Sequence, residues 1–157
     1  MWSRTALCCT GGVWDKAGAV SLSVGSPAHP VNKMVVVADK LWCATANTIR
    51  ILAPDTLELE GRVEVGGEED RAILAMVEAG LGVWVAQQGS ATIRLLHTLT
   101  RASLAELSLV GPVARMLGGS DEIIRQHKTA CLRVTALLPV KDKLWVGTRF
   151  SYYIKRT

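Results

Sequence analysis

Three short apolar runs in this chain follow one recipe: Lys40-Leu41-Trp42-Cys43-Ala44-Thr45, Gly82-Val83-Trp84-Val85-Ala86-Gln87 and Lys143-Leu144-Trp145-Val146-Gly147-Thr148. In each, an aliphatic residue precedes a tryptophan. Such self-similarity limits the fold more than any single residue does, because every copy must bury the same side chains in the same way. A second pattern travels with the first: Thr48-Ile49-Arg50-Ile51-Leu52 follows the first run and Thr92-Ile93-Arg94-Leu95-Leu96 follows the second. Trp42 and Trp84 stand 42 residues apart, and Ile49 and Ile93 stand 44 apart. From Trp84 to Trp145 the interval is 61, so about twenty extra residues fall between the second and third copies, within 110–130.

A period of about 40–45 residues is that of a four-stranded propeller blade. The strands inside it can be read one by one. Met34 to Ala38 is continuously apolar, Asp39-Lys40 supplies a turn, and Leu41 to Thr45 resumes with strand formers, which is a hairpin signal. Thr48 to Leu52 makes the next strand, and Pro54-Asp55 breaks it. From Leu57 to Val65 the apolar residues Leu57, Leu59, Val63 and Val65 alternate with Glu58, Glu60, Arg62 and Glu64, reset at Gly61, predicting an outer strand with one wet face. The second unit repeats the order with Ala72 to Val77, Val83 to Ala86, Thr92 to Leu96 and Ala102 to Leu109, the last of which also reads as a short helix. A third unit opens with Arg133 to Leu138, turns at Lys141-Asp142, runs through Leu144 to Thr148, and offers Phe150 to Ile154 as a further strand. Ala6 to Cys9, Val13-Trp14 and Ala19 to Val24 are pieces of another blade.

The fold class expected is therefore all-β: an incomplete WD-like β-propeller of about two full blades plus partial blades, each an antiparallel four-stranded sheet. The expected divisions are a blade remnant over 1–30, blades over 31–148 with an insertion at 110–130, and a divergent tail at 149–157. Propellers close with about four to eight blades, so the sequence reads as a fragment or a truncated splice product with open, association-prone sheet faces.

Hydrophobic residues make up 49% of the chain and charged residues 20%, as expected of sheets buried on several sides. No apolar stretch approaches the roughly eighteen residues that span a membrane. At the amino terminus Gly11-Gly12 and Asp15-Lys16 interrupt the apolar run too early for a signal peptide, which points to the cytoplasm. The net charge of +4 is local: residues 141–157 hold Lys141, Lys143, Arg149, Lys155 and Arg156 against Asp142, and the remainder balances thirteen basic against thirteen acidic residues. A face that tracks nucleic-acid phosphates is not supported.

Nothing in the sequence assembles into a recognisable reaction centre. Cys8, Cys9, Cys43 and Cys131 form no CxxC and have no histidine at metal-ligand spacing; Cys43 and Cys131 read as small buried residues, and Cys8-Cys9 as part of a short interior strand. His29, His97 and His127 stand in no nucleophile elbow and no HExxH. The glycine-rich stretches Gly66-Gly67-Glu68-Glu69-Asp70 and Gly118-Gly119-Ser120-Asp121 carry acids where a phosphate would need donors, and read as surface loops. No catalytic, cofactor-binding or metal residue is assigned. Trp42, Trp84 and Trp145, at one strand position, are assigned to the core between blades. In the insertion, Pro112 to Leu117 reads as extended, and Ser120-Asp121 as the cap of a short helix over Glu122 to His127. Arg115, Ile123, Arg125, His127 and Lys128 are the candidate contacts for a protein partner there.

Leu41-Trp42-Cys43, Pro54-Asp55-Thr56-Leu57, Leu81 to Val85, Arg115-Met116-Leu117 with Ile123-Ile124-Arg125-Gln126-His127-Lys128, and Val134 to Leu138 with Leu144 to Thr148 together resemble the carboxy-terminal WD-like propeller of Rho guanine nucleotide exchange factors. The resemblance covers about residues 29–148, and its most specific part is the IIRQHK run. Propellers of scaffold proteins in the JNK pathway are similar, with related LWCG-like and LWVGT-like strands. The first resemblance implies a protein-interaction module linked to Rho GTPases only through a larger protein, since exchange belongs to a Dbl-homology domain paired with a pleckstrin-homology domain, neither recognisable in this sequence. Arg149 to Thr157, RFSYYIKRT, departs from the pattern where such propellers continue with a glycine-containing turn and an apolar strand. That departure implies an alternative exon or a retained intron.

Overall fold

The structure, a computed structural model, describes residues 10–15, 18–23, 29–66, 71–116, 133–148 and 152–156. Two compact units divide the chain, residues 1–73 and 74–157.

In the first unit, β1 (Thr10–Asp15) and β2 (Gly18–Ser23) pair as an antiparallel hairpin. They contain the Val13-Trp14 and most of the Ala19 to Val24 pieces read from the sequence; Ala6 to Cys9 lies outside the described residues. Sheet I follows, an antiparallel meander of β3 (Val31–Val37), β4 (Lys40–Thr45), β5 (Thr48–Leu52) and β6 (Leu59–Glu64) in that spatial order. The second unit repeats the meander as sheet II, with β7 (Ile73–Ala79), β8 (Gly82–Gln87), β9 (Thr92–His97) and β10 (Ser103–Ser108). A helix α1 (Val110–Met116) comes next, then the three-stranded sheet III of β11 (Val134–Val140), β12 (Lys143–Thr148) and β13 (Tyr152–Arg156).

The apolar runs become strands because their β-branched and aromatic side chains suit a pleated, buried surface, and because two-residue turns join them. Ala38 and Asp39 between β3 and β4 both have positive φ, 45° and 59°. Gly80 at 60° opens the β7–β8 turn and Lys141 at 55° the β11–β12 turn. Turns of this hand match the right-handed twist of the strands they connect.

The repeat reaches into the loops. The backbone N–H of Ala53 donates to Glu58 O at 3.0 Å and that of Leu57 to Ala53 O at 2.8 Å; 44 residues on, His97 donates to Ala102 O at 2.8 Å and Arg101 to His97 O at 3.0 Å. Leu57 and Arg101 sit at matching positive φ, 60° and 64°. Val65 N–H donates to Asn47 O at 2.9 Å and Leu109 N–H to Ala91 O at 2.8 Å, tying down the end of the outer strand in each sheet. Both side chains so anchored, Val65 and Leu109, are buried.

Several expectations need correction. The outer strand of sheet I begins at Leu59, not Leu57, and Leu59 is exposed. A register shift between Ile51 and Leu52 accounts for this, since Ile51 pairs with Gly61 but Leu52 with Leu59. A bulge puts one extra residue into a strand and breaks the two-residue alternation there. Sheet II has its bulge at the equivalent place, between Ser103 and Ala105, and Leu104 is exposed. Within Ala102 to Leu109 the strand reading holds over Ser103–Ser108, and the helical alternative does not. Strand β11 continues past Leu138 through Pro139, which an edge strand tolerates because the missing N–H can be one that points away from its neighbour. Pro112 to Leu117, read as extended, lies instead largely in α1. Pro112 is the third residue of that helix, where the first-turn N–H groups have no helical partner to lose, and Ser108 Oγ accepts from the Val110 N–H at 3.4 Å just before it. The helix expected over Glu122 to His127 lies outside the described residues.

Candidate interaction surface

The core of the second unit lies between its two sheets. On one face of β8, Trp84 and Ala86 stand beside Leu95 and Ile93 of β9, their pairing partners. This face joins Leu109 and the Val134, Leu144 and Val146 face of sheet III in one buried cluster, with Ala75, Val77, Ala79, Leu107 and Leu137 packed around it. A buried tryptophan removes roughly 150–250 Å² from water, worth about 4–6 kcal/mol as an upper bound. The reverse face of β8, Val83 and Val85, is buried as well. In sheet I the corresponding Trp42 and Ala44 are buried, and on the other face Cys43 and Leu52 form a small cluster with Val31 and Leu41. Trp145 lies on the face of sheet III opposite the Leu144 and Val146 cluster, paired with Leu138 and Ile154, and is half-buried.

The potentially reactive side chains are occupied by structure. Burial pushes the Cys43 thiol up to about 11, so at neutral pH it is protonated and a poor nucleophile. His97 Nδ1 accepts from the backbone N–H groups of Leu99 at 3.0 Å and Thr100 at 3.1 Å, which fixes the turn between β9 and β10. His127, Cys8, Cys9 and Cys131 lie outside the described residues. Among the described residues no group of three or more His, Cys, Asp or Glu is placed to hold a metal ion, and no helix is long and apolar enough to cross a membrane. Arg94 Nε reaches Glu106 Oε1 at 2.7 Å across β9 and β10, and Lys40 Nζ reaches Glu60 Oε1 at 2.6 Å; exposed pairs of this kind fix local geometry and add little stability.

What remains for recognition is surface. The candidate contact Arg115 is exposed near the end of α1, whereas Ile123, Arg125, His127 and Lys128 lie outside the described residues. Sequence reasoning did not single out the exposed aliphatic side chains on the strands: Leu138 and Val140 in sheet III, Met34 and Val36 in sheet I. Their continuous apolar runs look like those of buried strands, and only the placement of the neighbouring sheet tells the two apart.

Comparison with known proteins agrees with this architecture. Rho guanine nucleotide exchange factor 17 from Mus musculus is 49% identical over 138 residues, 88% of this chain and 7% of that protein, and the protein of that name from Homo sapiens gives the same figures. C-Jun-amino-terminal kinase-interacting protein 3 from Rattus norvegicus is 30% identical over 87% of this chain and 10% of its own length. The chain thus spans less than an eighth of these relatives. Among solved structures, the computationally designed Ika4 protein shares the fold at a TM-score of 0.63 and 17% identity, over 94% of this chain and 79% of that one. The family described as WD40 repeated domain matches residues 5–154, and with the tryptophan strands, the repeated meanders and their matched loops, the chain belongs to that family.

Proposed function

We propose that this chain is a non-catalytic protein-interaction module of a cytoplasmic Rho guanine nucleotide exchange factor, connected to Rho GTPases only through the larger protein. The observation that carries the reading is the 49% identity over 88% of the chain to exchange factors of which it covers 7%. In this reading Trp42, Trp84 and Trp145 build the blades over 31–148, residues 1–30 and 149–157 are a blade remnant and a divergent tail, and Arg115, Ile123, Arg125, His127 and Lys128 on the 110–130 insertion meet the protein partner. Nucleotide release from a Rho GTPase, followed with fluorescent GDP, is expected to stay at its uncatalysed rate when this chain is added. Acceleration above that rate would overturn the non-catalytic reading.

A second reading, a propeller of a JNK-pathway scaffold, rests on the 30% identity to the kinase-interacting protein over 87% of the chain. Co-precipitation with c-Jun amino-terminal kinase separates the two: the exchange-factor reading expects none, and stoichiometric capture would favour the scaffold. Charge reversal of Arg125 and Lys128 together tests the insertion, since proximity labelling should lose its main protein partner if these residues make the contact.

A further inference from the structure

The repeat puts one arginine at the same place in sheets I and II and gives it opposite neighbours. Arg50 of β5 and Arg94 of β9 stand 44 residues apart, and the fourth-strand residues paired with them, Arg62 of β6 and Glu106 of β10, stand 44 apart as well. In sheet II the pair is closed by charge, with Arg94 Nε 2.7 Å from Glu106 Oε1. In sheet I two arginines hold the equivalent places, and like charges on directly opposed strand positions are unfavourable. Glu64, two residues along β6 and therefore on the same face, bonds Arg62 Nη2 at 2.7 Å, and Arg50 has no acidic partner among the described residues. Arg50, Arg62 and Glu64 together thus carry one surplus positive charge.

The surroundings of that charge are aliphatic and open to water. Cross-strand pairing through Cys43 puts Met34 in the row of Arg50 and Arg62, and Val36 and Leu59 in the next row on the same face. Arg50 is half-buried and Arg62 exposed, while Met34 is 48%, Val36 63% and Leu59 57% exposed. A guanidinium and a carboxylate match in shape and charge, and the chain itself uses that match at Arg94 and Glu106. We propose that the Arg50 and Arg62 face of sheet I is a second recognition surface, separate from the 110–130 insertion, and that it receives an acidic residue flanked by aliphatic side chains on a peptide segment of a partner protein. The partner's carboxylate supplies in sheet I the charge that Glu106 supplies in sheet II. Its aliphatic flanks remove Met34, Val36 and Leu59 from water.

Selection from a random displayed peptide library tests this, with the full chain as bait and its Arg62→Glu variant as counter-bait. Arg62 is exposed, so the variant should keep its fold, which circular dichroism verifies. The substitution gives Arg50 the acidic neighbour that Arg94 has and removes the surplus charge. Peptides held by the unmodified chain and lost by Arg62→Glu should carry Asp or Glu between aliphatic residues. Changing that acid to its amide, or Arg50→Gln in the chain, should each weaken binding at least about tenfold. Recovery of no peptide that the variant loses would overturn the proposal, as would recovered peptides without an acid. Equal binding of the acid and amide forms would also overturn it, since aliphatic contact alone would then suffice. Charge reversal of Arg125 and Lys128 should leave these peptides bound; their loss would place the contact on the insertion instead.

Discussion

Strands β8 and β12 follow one recipe, GVWVAQ and KLWVGT, with an aliphatic residue, Trp and Val at the same three places, yet all six residues are buried in β8 and only Leu144 and Val146 are buried in β12. Both are central strands of their sheets, so backbone pairing does not separate them. The difference is what lies above each face. Sheet III covers the Trp84 face, and the face carrying Trp145 keeps exposed aliphatic neighbours. The tryptophan of the repeat is thus a core residue by virtue of the next sheet and not of its own strand. A repeat protein distributes its core in this way, each unit completing the burial of its neighbour.

The comparison can be broken most sharply at the tryptophans themselves. Trp84→Ala should lower stability by about 3–5 kcal/mol in denaturant unfolding, and Trp145→Ala by less than about 2 kcal/mol. Equal losses would mean that the two faces are equally covered. Next in size is packing tolerance at the glycines. A Cβ on Gly82 would run into Leu95 Cδ1 and stand 2.8 Å from Leu95 Cγ and 3.1 Å from Leu96 O, so Gly82→Ala should cost about 1–3 kcal/mol. On Gly147 the nearest atoms would be Thr135 Oγ1 at 3.2 Å and Ala136 Cβ at 3.4 Å, and its counterparts Ala44 and Ala86 already carry a methyl. Gly147→Ala should therefore stay within about 0.5 kcal/mol of the unmodified chain, since lost backbone freedom in the unfolded state offsets a small adjustment.

The hairpins give a smaller effect than Trp84 or Gly82. Gly80 and Lys141 hold the same place in their turns at φ 60° and 55°, a region that costs a residue with a side chain about 1 kcal/mol. Lys141→Gly should raise the melting temperature, and Gly80→Lys should lower it by a comparable amount. A common sign for both would show that the two turns are not equivalent.

Much of this fold could be read from the chain itself. Thr48 to Leu52 is a strand at the positions its apolar run marks, and β4, β8 and β12 start within a residue of where the turns end their predecessors. These strands announce themselves because they are buried and bounded by turn residues. The outer strands were less legible, since bulges opposite Leu52 and Leu96 shift Leu59 and Leu104 outward in a way that alternation alone does not reveal. Helix α1 was hidden behind Pro112, which reads as a breaker unless it is seen to fall in the first turn. Of the candidate contacts, Arg115 alone falls among the described residues. The exposed faces at Leu138 and at Val36 could not be foreseen, because a covered and an uncovered sheet face are written with the same residues.

The central claim is that the Trp84 face of sheet II and the Leu144 face of sheet III form one core, and a double-mutant cycle between these residues tests it most directly. Trp84→Ala, Leu144→Ala and the double variant, compared by denaturant unfolding, should show a coupling of about 1 kcal/mol or more, because each substitution empties part of the same cluster. Losses that add to within about 0.3 kcal/mol would contradict the account, since independent sites add in that way and residues of a shared core do not.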